Sequence, residues 1–113
     1  MVTLIAEIGS VHDGSLGNAG KLIELAADCG ADVVKFQTHL PEAETLPDAP
    51  SPAYFQGEPR MEYFRRTSFS VKQWKQLKAK ADECGVQFIS SPFSLEAVDV
   101  LEEVGLAFYK VPS

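Results

Sequence analysis

Gly30-Ala31-Asp32-Val33-Val34-Lys35-Phe36-Gln37 is the stretch whose reading decides the fold. Its glycine suits the left-handed residue that stops a helix, and the short, mostly apolar run behind it suits a strand covered on both faces. The same hand-over recurs at Gly85, before Gln87-Phe88-Ile89-Ser90, and at Gly105, before Ala107-Phe108-Tyr109-Lys110-Val111. With the opening run Val2 to Ile8, this predicts strands at about 2–8, 32–37, 87–91 and 107–111. The order is βαβαβαβ, an α/β pattern that argues for a parallel sheet with right-handed crossovers. A doubly wound sheet and a (β/α)8 barrel both fit it. A barrel needs about 200 residues or more, so on that reading the 113 residues are half of one.

The intervening helices carry their own signals. Ser15 can N-cap a helix running to about Cys29, with Leu16, Ala19, Ile23 and Ala26 as its buried stripe. Ser70 and Gln73 match a capping box, and Val71, Trp74, Leu77 and Ala81 form the stripe behind it. Ser94 can cap a third helix, with Leu95, Val98, Leu101 and Val104 facing inward. The segment from about 40 to 69 differs. Pro41, Pro47, Pro50, Pro52 and Pro59 oppose regular hydrogen-bonded structure, so a long loop is expected there.

Composition excludes several classes. Hydrophobic residues make up 45% of the chain, ordinary for a globular domain, and mean hydropathy is −0.05. No apolar run approaches the roughly 20 residues that span a bilayer. Met1 leads directly into the first strand without a basic, apolar leader, which predicts a cytoplasmic protein. The net charge of −6 disfavours nucleic acid unless basic residues cluster, and only Arg60, Arg65 and Arg66 do. Those arginines are expected to be solvated, with an anion contact as the alternative. Cys29 and Cys84 share no metal-ligand spacing and are expected to be buried, reduced thiols.

Polar residues close the strands. Side chains alternate along a strand, so Glu7 shares a face with Thr3 and Ile5, Lys35 and Gln37 with Val33, and Ser91 with Ile89. Lys110 aligns with Phe108, and Ser113 follows at the end of the last run. The carboxyl ends of parallel strands are where α/β proteins bind ligands. An acid, two lysines and small hydroxyls there suit an anionic, phosphorylated substrate. The plainer alternative is a structural ion pair between Glu7 and Lys35 on neighbouring strands. His12, beside Gly14, can brace its loop as readily as act in catalysis, and Ser10, Ser15 and Ser94 read as turn and cap residues.

Five pieces together resemble a known family: Ala6-Glu7-Ile8-Gly9, His12-Asp13-Gly14-Ser15-Leu16, the Gly30–Gln37 stretch, Phe88-Ile89-Ser90-Ser91-Pro92-Phe93, and Tyr109-Lys110-Val111-Pro112-Ser113. In order and spacing they look like the sialic acid synthase family, the N-acetylneuraminate synthases and their pseudaminic and legionaminic acid relatives. The resemblance implies a (β/α)8 TIM-type barrel followed by a small antifreeze-like domain. Residues 1–113 would then be the N-terminal half of the barrel, without its second half or the antifreeze-like domain. It implies condensation of phosphoenolpyruvate with an N-acyl amino sugar to a nine-carbon 2-keto acid and phosphate.

By the same resemblance, Lys35, Gln37, Ser91, Lys110 and Ser113 fall at phosphoenolpyruvate-binding positions, and Glu7 falls at the catalytic acid. A divalent metal, Mn2+ or Mg2+, is implied for the complete enzyme with ligands outside this chain, so neither His12 nor His39 is assigned to it. A homodimer is implied for the full-length enzyme. Two positions depart from the family pattern: Val11 replaces an asparagine, and Ser91 replaces a threonine but keeps the hydroxyl. The 113 residues alone are expected to lack turnover. The competing readings are another phosphoenolpyruvate-dependent aldol-type synthase and a non-catalytic half-barrel assembly module.

Overall fold

Three strands lie side by side in chain order, all parallel, and helices cross over between them in the computed structural model. The structure describes residues 2–40, 62, 65–106 and 109–110. The elements are β1 (Ile5–Gly9), α1 (Leu16–Asp28), β2 (Val33–Thr38), α2 (Val71–Cys84), β3 (Gln87–Pro92) and α3 (Leu95–Val104). The order β1-β2-β3, with each strand next to its predecessor, is that of a barrel wall: α/β, the parallel half of a (β/α)8 barrel.

Alternation gives the sheet two different faces. Ile8, Val34, Phe36 and Phe88 turn toward the helices and join Ala19, Ile23, Trp74, Leu77, Ala81 and Leu101 in one core. Its centre is aromatic. Trp74 meets Phe36 edge-on at 5.6 Å and Phe69 at 5.0 Å, while Phe36 stacks on Phe88 at 5.1 Å. Edge-to-face and offset pairs of this kind add to simple burial. The other face carries Ile5, Glu7, Lys35, Gln37, Ile89 and Ser91.

The helix ends follow their sequence signals. Ser15, Ser70 and Ser94 each accept from the backbone N–H of the third residue of their helices, and Ser70 with Gln73 completes the capping box. At the end of α1, Gly30 donates to Ala27 and Ala31 to Ala26, with Gly30 at φ 90°. That is the paired closure in which glycine carries the left-handed turn.

Several expectations are corrected. The first strand begins at Ile5 rather than Val2, because β2 offers no residue beyond Val33 to pair with and the Leu4 N–H goes to the Asp32 carboxylate at 2.8 Å. Strands β2 and β3 each run one residue beyond the expected end, to Thr38 and Pro92. Leu95 is 83% exposed; Ala97, not Leu95, opens the buried stripe of α3. Cys29 is exposed and Cys84 only partly covered, since both lie where their helices leave the core.

Within the expected 40–69 loop, Glu62, Arg65 and Arg66 are helical, past the last proline of the segment. An i,i+3 ion pair between Glu62 and Arg65 supports that turn. Residues 41–61, 63 and 64 of that expected loop lie outside the described residues. Of the expected fourth strand at 107–111, Tyr109 and Lys110 are described: Tyr109 bridges Ser90 in parallel, and the Lys110 N–H donates to the Ser90 carbonyl. No helix among the described residues is long and apolar enough to cross a membrane.

Two glycines give opposite predictions. At Gly14, φ is 82° and an added Cβ would lie 2.2 Å from the Arg66 carbonyl oxygen. Gly14→Ala should therefore cost about 2 kcal/mol or more in urea unfolding. At Gly20, within α1, an added Cβ meets nothing within 4 Å among the described residues, so Gly20→Ala should stabilise the chain by about 0.5–1 kcal/mol.

Candidate functional site

Strand register brings the sequence-predicted residues together. Glu7 lies directly opposite Lys35 on β1 and β2, and Gln37 lies opposite Ser91 on β2 and β3. All four point to the sheet face away from the helices, at the carboxyl ends of their strands, where Ser91 is buried and Lys35 and Gln37 are partly exposed. Lys35 Nζ is 2.8 Å from Glu7 Oε2, with the lysine side chain 21% exposed and the glutamate 50%. The ion pair weighed from sequence is therefore made, and it is made on the same face as Gln37 and Ser91.

A bulge at the end of β1 shapes the space beside this pair. Glu7 pairs with Lys35 but Gly9 pairs with Phe36, so one extra residue is accommodated at Ile8. Gly9 takes φ 55°, and the point where its Cβ would sit is 3.3 Å from Glu7 Oε1 and 3.6 Å from Gln37 Nε2. The missing side chain leaves a small cradle between a carboxylate and an amide.

Lys110 reaches the same face by alternation. Tyr109 packs against the helix-side core, and its hydroxyl donates to Glu102, which holds the phenol pKa above its ordinary value. The next residue, Lys110, therefore falls on the opposite face, that of Lys35 and Ser91. Ser113 lies outside the described residues.

Reasoning from sequence missed His39. Alternation puts it two residues after Gln37 on the same face, and its Nε2 lies 3.0 Å from Gln37 Oε1. The repeat Lys35, Gln37, His39 at period two was the available signal. Beneath this layer the Thr38 and Ser90 hydroxyls bond at 2.7 Å, which satisfies two polar groups buried on the helix side.

His12 serves a different purpose. It is fully buried between Phe36 and Phe69, its Nδ1 accepts from the Gly14 N–H at 3.0 Å, and Nε2 has no hydrogen-bond partner among the described residues. It braces the turn from Ser10 to Gly14 from the helix side, away from the Glu7–Lys35 face. Burial pushes its pKa down, opposed by the Asp13 carboxylate. Val11, the departure beside it, is 73% exposed. Of the arginines, Arg65 pairs with Glu62 and Arg66 with Asp13; Arg60 lies outside the described residues. Among the described residues no three His, Cys, Asp or Glu side chains come together to hold a metal.

The comparisons with known proteins agree with one another. The family model described as the NeuB family matches residues 22–113. The chain is 39% identical to N,N'-diacetyllegionaminic acid synthase of Campylobacter jejuni, over 97% of this chain and 34% of that protein. It is 36% identical to N-acetylneuraminate-9-phosphate synthase of Homo sapiens, over 97% of this chain and 32% of that protein. The crystal structure of an N-acetylneuraminic acid (sialic acid) synthetase from Leptospira borgpetersenii, in complex with citrate, superposes with a TM-score of 0.78 at 28% identity. It is matched over 97% of this chain and 35% of that one. The chain spans about a third of the length of the curated relatives it matches.

The buried imidazole generates a pH prediction. The unfolded chain takes up a proton at His12 near its ordinary value of 6.5, while the folded chain resists until lower pH. His12 therefore leaves stability intact above about pH 6.5 and erodes it as pH falls through that value toward the lowered folded pKa. Urea midpoints measured from about pH 7.5 to 5 should show this slope, and His12→Phe should remove its share of it.

Proposed function

The chain belongs to the NeuB family, and we propose that it supplies part of the phosphoenolpyruvate site of a sialic acid synthase-type enzyme. That enzyme would join phosphoenolpyruvate to an N-acyl amino sugar, giving a nine-carbon 2-keto acid. The observation that carries the reading is the convergence of Glu7, Lys35, Gln37 and Ser91 at the carboxyl ends of three parallel strands.

The residue types suit the roles. Lys35, and Lys110 on the same face, neutralise the phosphate and carboxylate of phosphoenolpyruvate, and an ammonium keeps further donors when one is used by Glu7. The Gln37 amide and the Ser91 hydroxyl donate to its oxygens, with Ser113 assigned the same task. Carbon C3 of phosphoenolpyruvate attacks the aldehyde of the open-chain sugar, forming the new C–C bond, and the aldehyde oxygen takes a proton. Water adds at C2, the C2–O bond breaks, and phosphate leaves. Glu7 takes or steers the proton of that water.

The divalent metal belongs to the proposal for the complete enzyme. The described residues hold no cluster that fits it, and no step is derived through it. The proposal extends to a cytoplasmic, homodimeric full-length synthase, of which these residues alone form too little of the site for turnover.

Titration of the 113-residue chain with phosphoenolpyruvate, followed by backbone amide NMR, tests the reading. Shifts should concentrate at Glu7, Lys35, Gln37 and Ser91. Lys35→Met should weaken binding by roughly tenfold or more, the scale of one lost charge-assisted contact. Shifts centred elsewhere, or binding indifferent to Lys35→Met, would overturn it. Keto-acid formation by the chain alone, with Mn2+ and an N-acyl sugar, would overturn the claim of inactivity.

A further inference from the structure

We propose that His39 is a positioning residue that fixes the side-chain amide of Gln37, so that its NH2 rather than its carbonyl faces Glu7 and the bound substrate. The inference rests on the reading of this face as an anion site. The two ends of a glutamine amide are nearly the same size, but one only donates and the other only accepts. An anionic substrate needs the donating end.

The geometry selects that end. His39 Nε2 lies 3.0 Å from Gln37 Oε1, and since a carbonyl oxygen only accepts, a hydrogen bond here requires the ring proton on Nε2. This contact engages Oε1 and directs the two N–H groups toward the cradle at Gly9, where Gln37 Nε2 and Glu7 Oε1 flank the vacant Cβ position. The reversed amide would set its carbonyl oxygen beside the Glu7 carboxylate and turn an acceptor toward the anion.

His39 is itself held. Its ring is buried and stacks on Phe93 with centroids 4.2 Å apart and planes 22° from parallel. Its carbonyl accepts from Ser68 Oγ at 3.0 Å, and the preceding carbonyl, that of Thr38, accepts from the Phe93 N–H at 3.2 Å. The ends of β2 and β3 thus hold the His39 backbone and the plane of its ring, and the ring's contact with Oε1 in turn orders a flexible amide. Such support reduces the ordering that a ligand must otherwise impose.

Two substitutions separate the hydrogen bond from the stacking. His39→Phe keeps a ring against Phe93 but removes the donor; His39→Gln restores a donor at about the reach of Nε2 without the ring. In the wild-type chain, two-bond proton–nitrogen NMR correlations should show the Nε2–H tautomer, and the Gln37 NH2 protons should give nuclear Overhauser contacts to the Gly9 Hα. His39→Phe should abolish those contacts and weaken phosphoenolpyruvate binding roughly tenfold, with His39→Gln recovering to within about twofold.

An Nδ1–H tautomer in the wild type would overturn the proposal. So would His39→Phe binding as tightly as wild type with the Gln37 contacts intact. Should His39→Phe not fold, the wild-type tautomer and the His39→Gln titration decide. Should phosphoenolpyruvate fail to bind even the wild type, the functional reading falls, while the tautomer and the Gln37 contacts still decide whether His39 orients the amide.

Discussion

Everything on the sheet face away from the helices depends on the parallel register of three strands. Because side chains alternate, moving β2 by one residue would drive Lys35 and Gln37 under the helices and turn Phe36 out of the aromatic cluster. Burying an unpaired ammonium costs several kcal/mol, roughly, and losing Phe36 from the core costs about 3–5 kcal/mol. The register is therefore held from the helix side, by Phe36 against Trp74 and Phe88. It is held at the strand entrance by Asp32. The Asp32 carboxylate takes the Leu4 N–H, its N–H donates to the Leu4 carbonyl, and its carbonyl accepts from Gln87. One residue thus aligns three strands, and the polar groups at the other end fall into line as a consequence.

What the register delivers is a charge pair whose contribution to folding is small. With Glu7 half exposed, its contact with Lys35 is screened by water, and pairs of this kind contribute about 0–1 kcal/mol. Stability is a weak reason for placing a lysine in the middle of an otherwise apolar strand. The glycine that follows points the same way. Gly9 bends the end of β1, its positive φ excludes most side chains, and the space it leaves lies between a carboxylate and an amide donor. A fold that needed only a filled sheet face would have no use for that vacancy.

Legibility in the sequence tracked how local each signal was. Ser15, Ser70 and Ser94 act as caps because capping is decided within three residues, and the glycines at 30, 85 and 105 take positive φ for the same reason. The face shared by Glu7, Lys35, Gln37 and Ser91 followed from period-two alternation. What escaped depended on neighbours distant in sequence. Leu95 fits the helical stripe by spacing, yet at the first turn of α3 it remains exposed, and burial starts only at Ala97. His12 was ambiguous because only the tertiary structure could show Phe36 and Phe69 enclosing it. The role of His39 depends on which end of an amide it meets, and that requires the stacking partner Phe93 from another strand end.

The segment leading into α2 connects these observations. Arg66 pairs with Asp13, and its carbonyl lies where only the bare α-carbon of Gly14 allows close approach. Phe69 packs on His12, and Ser68 donates to the His39 carbonyl. The short stretch from 66 to 69 thus touches the turn after β1 at His12, Asp13 and Gly14, the end of β2 at His39, and the core through Trp74. Since Gly9 and His39 bound the candidate site on those same two strand ends, a shift of this short segment would be felt at the Gln37 amide. The support of the site therefore extends beyond the sheet that carries its residues. It includes a stretch that bears none of the proposed substrate contacts, and that stretch constrains where they can point.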